Sequence, residues 1–325
     1  MSTKKSNFIM TVDGPVRDTQ FGFCHSHEHL FIAEGQSAKV NPALRIDSFP
    51  KTLAELKLYR KAGGRSIVDA QPVGCGRMAD LLVRASRESE VRIVAATGFH
   101  KLTFYPSDHW IHSFSADQLA QLFQTELENG MYIDGDSSIP SQRIPALPGV
   151  IKTASDLEGI TPKYRKLFEA AAWAARQTGT PILSHTEMGK AALDQIRLFL
   201  DYGLPAESII ICHLDRTLMD LDYQLRVAAS GVYLEFDTIG RFKYHSDEKE
   251  VDFIVKLVEH GYEDRILLGL DVTRERMKNY GGNLGLDYIA VSFLPMLKKA
   301  GLPDEVIAKF TIHNPAQAFQ KVKTT

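Results

Sequence analysis

Cysteine is scarce in this sequence of 325 residues: there are three, and no two of them have Cys-x-x-Cys spacing. Cys24, Cys75 and Cys212 lie in or just after apolar, strand-like runs, which predicts buried, reduced thiols and favours the reducing cytoplasm. No apolar run approaches the roughly 18 residues that a membrane helix needs. Residues 1–7 are polar and the apolar stretch after them is short, so we expect no secretory signal.

Charge of one sign is also lacking, since the formal net charge is only −2. This predicts no strong attraction to nucleic acid or to anionic membranes. What the sequence does contain is ordinary for a globular protein, with 44% hydrophobic and 24% charged residues. A chain of this composition and length can bury a large core and form one large α/β barrel or two ordinary domains.

Short apolar runs alternate along the chain with amphipathic helical patterns, which is typical of a parallel α/β fold. The eight strand candidates are Gly22–Ser26, Ser66–Ala70, Arg92–Thr97, Gly149–Thr153, Pro181–His185, Ile209–His213, Gly231–Asp237 and Arg265–Asp271. The economical interpretation is a single (β/α)8 TIM barrel over residues 1–325, with its active site at the C-terminal ends of the strands. A doubly wound sheet is the alternative, because the alternation alone does not give strand order.

Helical patterns fall between these strands. They are predicted at Thr52–Arg60, Met78–Ser86, Ala116–Asn129, Lys163–Gln177, Gly189–Tyr202, Met219–Ala229, Glu248–His260 and Leu286–Lys299, with a last helix from Pro303 to Phe319. The segment 101–148 is unusually long for a barrel connection. Such a segment is typical of a functional lid, although an interface is equally open.

Six side chains that suit metal chemistry stand at the C-terminal ends of five of the predicted strands. They are His27, His29, Lys152, His185, His213 and Asp271. A parallel barrel brings these strand ends together at one mouth, so we expect the six side chains to converge. Neutral imidazoles and a carboxylate suit zinc and neighbouring divalent metals.

The pair His27 and His29 flanks Glu28, and residues two apart on a strand point the same way, so Glu28 is expected to face away from the metal. Lys152 ends an apolar strand, where loss of hydration favours the neutral amine. A neutral amine can add carbon dioxide and become a carbamate that bridges two metals. The alternative is a lysine paired with a carboxylate at the mouth.

This arrangement resembles the amidohydrolase superfamily, and within it the phosphotriesterase-like branch. The resemblance rests on the ligand pattern, on residues 23–30, on Gly149–Val150–Ile151–Lys152 and on residues 314–319, and it spans essentially the whole chain. It implies one metal held by His27, His29 and Asp271 and a second held by His185 and His213. Carboxylated Lys152 and a hydroxide would bridge the two ions, most simply zinc, with manganese or cobalt as options. Asp271 would carry the proton to the leaving group, and the enzyme would be a homodimer.

The predicted loops after the seventh and eighth strands are basic, with Arg241 and Lys243 on one and Arg274, Arg276 and Lys278 on the other. Such a cluster in an acidic chain favours an anionic small-molecule substrate. Two further stretches, residues 69–77 and 98–101, resemble the phosphofuranose lactonase subgroup.

In that subgroup Lys243 and Arg274 would hold a phosphate, with His100, Lys101, Tyr244 and Tyr280 as further substrate contacts. Where the subgroup has a tyrosine three residues after Arg274, this chain has Met277. The function we expect is therefore a binuclear metal-dependent lactonase that opens a phosphorylated sugar lactone. The alternatives are a phosphotriesterase, an N-acyl-homoserine lactonase, or a catalytically idle barrel that serves as a binding partner.

Overall fold

The computed structural model describes residues 4–217 and 220–323, and within them eight parallel strands form a nearly closed barrel. The barrel strands are β3 (Cys24–Glu28), β4 (Ser66–Asp69), β5 (Arg92–Gly98), β6 (Val150–Ala154), β7 (Ile182–His185), β8 (Ile209–Cys212), β9 (Tyr233–Phe236) and β10 (Ile266–Leu268). Each strand pairs with its neighbour in sequence. The barrel prediction is confirmed, and the doubly wound alternative is wrong because strand order never reverses.

Hydrogen bonds close the barrel between its first strand and the residues in and just after its last strand. The Ser26 hydroxyl donates to the carbonyl of Leu268 at 2.8 Å, and the Asp271 amide donates to the carbonyl of His27 at 3.1 Å. The Glu28 carboxylate accepts from the amide of Leu270 at 3.0 Å. These bonds fix the exit of β10 against that of β3, so the first histidines and Asp271 are held side by side.

Helices and turns connect the strands and cover the barrel. The α-helices are α1 (Asp18–Phe21), α2 (Gln36–Val40), α3 (Phe49–Lys61), α4 (Ala79–Ser89), α5 (Trp110–Ser113), α6 (Ala116–Asn129), α7 (Pro162–Thr178), α8 (Ala192–Asp201), α9 (Leu221–Ala229), α10 (Asp247–Glu259), α11 (Leu294–Lys299), α12 (Asp304–Ala308) and α13 (Asn314–Ala318). Most predicted helices are confirmed within a few residues, and α6 has the predicted bounds because Ser115 and Gln118 form a capping box at its start. Met219, the first residue of one predicted helix, lies outside the described residues.

Two predicted helices are not continuous α-helices. Residues Ile289–Phe293 and Lys309–His313 form wide π-helical turns. Each turn ends two residues before a proline, Pro295 in α11 and Pro315 in α13. Proline has no N–H and its ring collides with the carbonyl four residues earlier, so a widened turn lets the helix continue.

A small antiparallel sheet that the sequence patterns did not predict pairs the two ends of the described chain. It contains β1 (Lys4–Thr11), β2 (Gly14–Arg17) and β11 (Gln320–Lys323). Ile9 of β1 packs with Phe21 and Phe319 against the aliphatic residues inside the lower barrel. This sheet and the residues beside it cover the N-terminal end of the barrel, opposite the strand ends that carry the candidate site.

The three cysteines are buried and free of disulfide bonds, as their surroundings predicted. Within the described residues, no helix is both long enough and apolar enough to cross a membrane.

Candidate functional site

The six predicted metal-binding side chains converge at the C-terminal mouth of the barrel. The Nζ of Lys152 lies 3.1 Å from Nε2 of His27, and Nε2 of His213 lies 2.7 Å from Nδ1 of His185. The Nε2 of His29 lies 3.4 Å from Oδ1 of Asp271. All six side chains are buried. Residues from both ends of the sequence therefore share one enclosed centre.

The backbone at two of these positions has a conformation that is rare for residues other than glycine. His213 has φ of 63° and Asp271 has φ of 43°. Left-handed backbone at such residues costs on the order of 1 kcal/mol or more and is retained mainly at functional sites. It turns each side chain inward, one residue after the end of β8 for His213 and three residues after the end of β10 for Asp271.

Gly98, the last residue of β5, brings the backbone close to Lys152. Its φ is +97°, and the amide of the next residue, Phe99, donates to the Lys152 carbonyl at 2.9 Å. A Cβ built at Gly98 would stand 2.0 Å from that carbonyl oxygen. Only glycine permits both this conformation and this approach.

A layer of carboxylates behind the histidines orients their rings. Nδ1 of His27 lies 2.9 Å from carboxylate oxygens of both Glu235 and Asp237. Nδ1 of His213 lies 2.6 Å from Oδ1 of Asp237. With Nδ1 engaged in this way, both rings direct Nε2 toward the centre of the cluster, which is the arrangement that metal-binding histidines use.

Local electrostatics set the charge of the imidazoles. Burial lowers the pKa of His185 well below its usual value, and burial together with Arg216 lowers the pKa of His213 to about 3. Both rings are therefore neutral at pH 7 and can donate a lone pair. Burial and Lys152 oppose charge on His27, but Glu235 and the other nearby carboxylate outweigh them and raise its pKa to about 9. A cation bound there would displace that proton.

The donor set fits a metal ion. One ligand atom each from His27, His29 and Asp271 lies within 4.8 Å of the other two, and all three residues are buried. A second set with the same spacing contains His27, Cys212, Glu235 and Asp237. Burial raises the pKa of the Cys212 thiol well above its usual value, which disfavours the thiolate form that a metal ligand needs. We therefore interpret Glu235 and Asp237 as residues that orient His27, a member of the first set, and not as ligands of a separate metal ion.

A cavity of about 250 Å³ opens above the cluster. Among the predicted substrate-binding residues, four line it: His100, Lys101, Lys243 and Tyr244. The Lys243 ammonium lies 4.8 Å from the centre of the Tyr244 ring. These residues come from the loops after β5 and β9, so the cavity wall is basic on two sides.

Arg274 and Tyr280 are not among the residues that line this cavity. The Arg274 guanidinium lies 5.7 Å from the centre of the Tyr280 ring. The Tyr280 hydroxyl lies 2.8 Å from that of Thr52 and donates to the carbonyl of Ser48 at 3.0 Å. Met277 is fully buried in the main hydrophobic core. Arg274 and Tyr280, which were predicted to contact substrate, therefore lie beside the connection between β3 and β4.

The remaining cations of the basic loops have different surroundings. Arg276 donates to the carbonyls of Leu270 and Ile239 at 2.6 and 2.8 Å, which ties the two loops together. Lys278 donates to the carboxylate of Asp287 at 2.7 Å. Of the five basic residues predicted at the mouth, Arg241 and Lys243 are the two that line the cavity.

Four residues of the site were not predicted from the sequence: Glu187, Arg216, Glu235 and Asp237. Glu187 and Arg216 line the cavity, each within three residues of a predicted histidine ligand. Glu235 interrupts the apolar run of β9 and is fully buried. A charged residue inside a buried strand is unusual, so the sequence alone could have indicated that Glu235 is a partner of the histidines.

The fold and the site define a class of enzyme, the hydrolases built on a (β/α)8 barrel with a metal-binding cluster at the mouth. The sequence model of the phosphotriesterase family matches residues 7–319, so the chain belongs to this family. It is therefore a hydrolase of ester or lactone bonds, in a family that depends on two metal ions.

Similar proteins agree with this assignment. The chain is 32% identical over 301 residues to the phosphotriesterase homology protein of Escherichia coli K12, covering 92% of this chain and 98% of that protein. It is 30% identical over 322 residues to the phospho-furanose lactonase of Mycoplasmopsis agalactiae, covering 96% and 91%. The crystal structure of a lactonase from Listeria monocytogenes has a TM-score of 0.88 and 30% identity, covering 97% and 100%.

Proposed function

We propose that this protein is a binuclear metal-dependent lactonase that hydrolyses a phosphorylated furanose lactone to the hydroxy acid. The observation that carries the proposal is the small cavity above the cluster, which is lined by the cations Lys101, Arg216, Arg241 and Lys243. The relative from Mycoplasmopsis agalactiae, named a phospho-furanose lactonase, supports the same substrate class.

The size of the cavity favours a compact substrate. Its volume of about 250 Å³ lies below the roughly 300–1,000 Å³ typical of sites for drug-sized ligands. The charge of its wall favours an anion, because these four cations outnumber the lining carboxylates of Glu187 and Asp271, and guanidinium and ammonium groups bind phosphate oxygens with charge-assisted hydrogen bonds. A sugar lactone with one phosphate satisfies both conditions better than a lactone with a long acyl chain.

The metal centre in this proposal contains two divalent ions, with zinc the simplest choice and manganese or cobalt as options. His27, His29 and Asp271 would hold one ion, and His185 and His213 the other. Lys152, carboxylated by carbon dioxide, would bridge them. When bound, such a pair supplies an acidified water as nucleophile and polarises the lactone carbonyl.

Asp271 is the residue that we assign to proton transfer. Burial opposes its charge, but Arg241 and the hydrogen bond from His29 hold the pKa of its carboxyl well below the usual value. The carboxylate is therefore ionised at neutral pH and can accept a proton. It would pass that proton to the ring oxygen as the lactone opens.

Lys243 is the residue that we assign to the substrate phosphate, with Lys101, His100 and Tyr244 around it. Arg274 would contribute a second contact only by reaching over from its position beside Tyr280. We further propose that the chain forms one domain over residues 1–325 and a cytoplasmic homodimer. The family resemblance supports the dimer, and the reduced cysteines support the compartment.

A substrate panel tests the proposal. Purified, metal-loaded protein should be assayed with phosphorylated aldonolactones, their unphosphorylated counterparts, N-acyl-homoserine lactones and an organophosphate triester. We expect kcat/KM to be highest, by at least about tenfold, for a phosphorylated lactone. Preference for the triester or for the acyl lactones would instead support the alternative activities on the same centre.

Two variants locate the phosphate site. Lys243→Ala should raise KM for the phosphorylated lactone by about tenfold or more, the value of one charge-assisted contact of 1.5–3 kcal/mol, and should leave KM for the neutral lactone nearly unchanged. Arg274→Ala should have a smaller effect, because its guanidinium stands outside the cavity wall. Equal effects of Lys243→Ala on both substrates would remove the lysine from the phosphate site.

A further inference from the structure

Arg216 occupies a central position that neither the sequence pattern nor the family assignment explains. It belongs to the short 3-10 turn Leu214–Thr217 that follows β8, three residues after His213. Its side chain is only 6% exposed, and its Nε is buried without a hydrogen-bond partner among the described residues. A buried guanidinium needs compensating charge, so its neighbours indicate what it does.

One neighbour of Arg216 is Glu187, which serves the half of the site that contains His185. Nη1 of Arg216 lies 3.8 Å from Oε1 of Glu187. The other oxygen, Oε2, lies 3.3 Å from Nε2 of His185 and 2.8 Å from Nζ of Lys101. With Glu187 accepting from Nε2, the Nδ1 lone pair of His185 faces His213 across 2.7 Å. Glu187 therefore fixes the tautomer of this ring.

The other neighbour of Arg216 is Asp271, which serves the half of the site that contains His27 and His29. Nη2 of Arg216 donates to Oδ2 of Asp271 at 2.8 Å, and Nη1 of Arg241 donates to the same oxygen at 2.5 Å. Oδ1 of Asp271 is left facing His29. The two guanidinium groups thus decide which oxygen of Asp271 points toward the histidines.

We infer that Arg216 is a positioning residue that couples the two halves of the metal centre, with one arm at ion-pair distance from Glu187 and the other hydrogen-bonded to Asp271. The inference depends on the proposed two-metal centre and adds a residue to it. A planar guanidinium with donors on both arms can contact two carboxylates at once, whereas an ammonium is a compact point charge. Loss of Arg216 would leave Glu187 held by Lys101 alone and Asp271 by Arg241 alone, so both carboxylates would be positioned less firmly beside the histidines.

An alternative role for Arg216 is binding of the substrate anion, since it also lines the cavity. Two observations favour positioning. Its contacts at the cavity are with carboxylates of the protein, and its guanidinium packs over the ring of Tyr244, 5.4 Å from the ring centre. Among the described residues, Lys243 forms no ion pair with a carboxylate, and it lies over the same ring, so it is the better phosphate contact.

Metal binding measures the proposed coupling without any substrate. Arg216→Met, Arg216→Lys and Glu187→Gln should be titrated with Zn²⁺ by calorimetry and by competition with a chelator, beside the wild type. Arg197→Met is the control, because the Arg197 side chain is 73% exposed and lies on α8 away from the cavity. Thermal melts establish that each variant is folded. If Arg216→Met fails to fold, Arg216→Lys carries the test.

We expect Arg216→Met to weaken binding of both metal equivalents by about 10- to 100-fold, the range found for residues that orient metal ligands. Arg216→Lys should retain part of the affinity, because one ammonium can hold one carboxylate. Glu187→Gln should weaken one equivalent and leave the other close to the wild type. Arg197→Met should bind both ions normally.

Unchanged affinity for both ions in Arg216→Met and Arg216→Lys would overturn the inference, and a raised KM for phosphorylated lactone alone would then make Arg216 a substrate-binding residue. A wild-type protein that binds fewer than two ions would also overturn it. Two normal metal equivalents with no lactone hydrolysis would instead contradict the proposed function and leave the role of Arg216 standing.

Discussion

The interior of the barrel has two layers that differ in chemistry although they lie on the same strands. In the lower layer, Val150, Leu183 and Ile210 pack together as one cluster with residues from the neighbouring strands. Two residues further along β6 and β7, the inward positions hold Lys152 and His185. Strand geometry is the same in both layers, because residues two apart face the same side. Each of these strands therefore supplies both stability and chemistry, at inward positions that are two residues apart.

The two layers should also differ in what they contribute to folding. Aliphatic side chains in the lower layer are removed from water and stabilise the fold. The upper layer buries carboxylates, imidazoles and a lysine, whose loss of hydration must be offset by their mutual contacts and by bound cations. Substitutions in the lower layer should therefore change stability more than turnover, and substitutions in the upper layer should do the reverse.

The largest effect is expected in the upper layer, at Asp271. Asp271→Asn keeps the size of the side chain but removes the proton acceptor, so kcat should fall by at least about 100-fold. The protein should remain folded and should retain some bound metal. Steady-state kinetics and metal analysis check this. Asp264→Asn is the control, since the Asp264 side chain is 68% exposed, and turnover near that of the wild type in Asp271→Asn would contradict the proton-transfer role.

A matched pair on β7 sharpens the comparison between the layers. Leu183→Ala should lower the free energy of unfolding by about 2–5 kcal/mol, because it opens a cavity among fully buried neighbours. Its kcat at a temperature well below the melting transition should stay within a few-fold of the wild type. His185→Ala should instead abolish most turnover with a smaller loss of stability in metal-free protein. Denaturant unfolding and kinetics measured side by side would expose any reversal of this order.

The smallest effect concerns a pair of buried acids behind the upper layer, Asp215 and Glu250. Burial and the charge of Asp237 raise the pKa of Asp215 to about 7, and burial together with Asp215 raises the pKa of Glu250 well above its usual value. Between about pH 4 and pH 7 the folded protein thus holds more protons than the unfolded chain, so stability falls as the pH rises through this window.

Glu250→Gln removes one of these two acids and should flatten that dependence. Relative to the wild type, the variant should gain stability on the order of 1 kcal/mol at pH 8 and less at pH 5. Urea unfolding of both proteins at the two pH values measures this. A gain that is larger at pH 5 than at pH 8 would mean that the pKa of Glu250 is not raised in the folded protein.

Much of the architecture could be predicted because its causes are local. Apolar runs identify buried strands, and residues such as Ser115 mark a helix start by hydrogen bonding within one turn. The π-helical turns were missed because the effect of Pro295 depends on whether packing keeps the helix going beyond it. The sheet of β1, β2 and β11 was missed because its pairing joins residues at opposite ends of the sequence.

The candidate site likewise contains residues that could be predicted from the sequence and residues that could not. The six side chains at strand ends could be predicted to converge, because parallel strands present their carboxyl ends to one mouth. Glu187 and Arg216 could not, since their partners lie on other loops whose conformation the sequence does not reveal. Arg274 shows the converse limit, because a basic residue on a mouth loop can turn away from the cavity.

Because the backbone at Gly98 approaches Lys152 so closely, this position requires glycine, although glycine carries no functional group. A saturation library of this gene should lose activity at Gly98 for every replacement, alanine included, much as it would at a metal ligand. A map of tolerance to substitution would then mark as essential a position that has no side chain. A redesign of this scaffold for new ester substrates should therefore keep glycine at position 98.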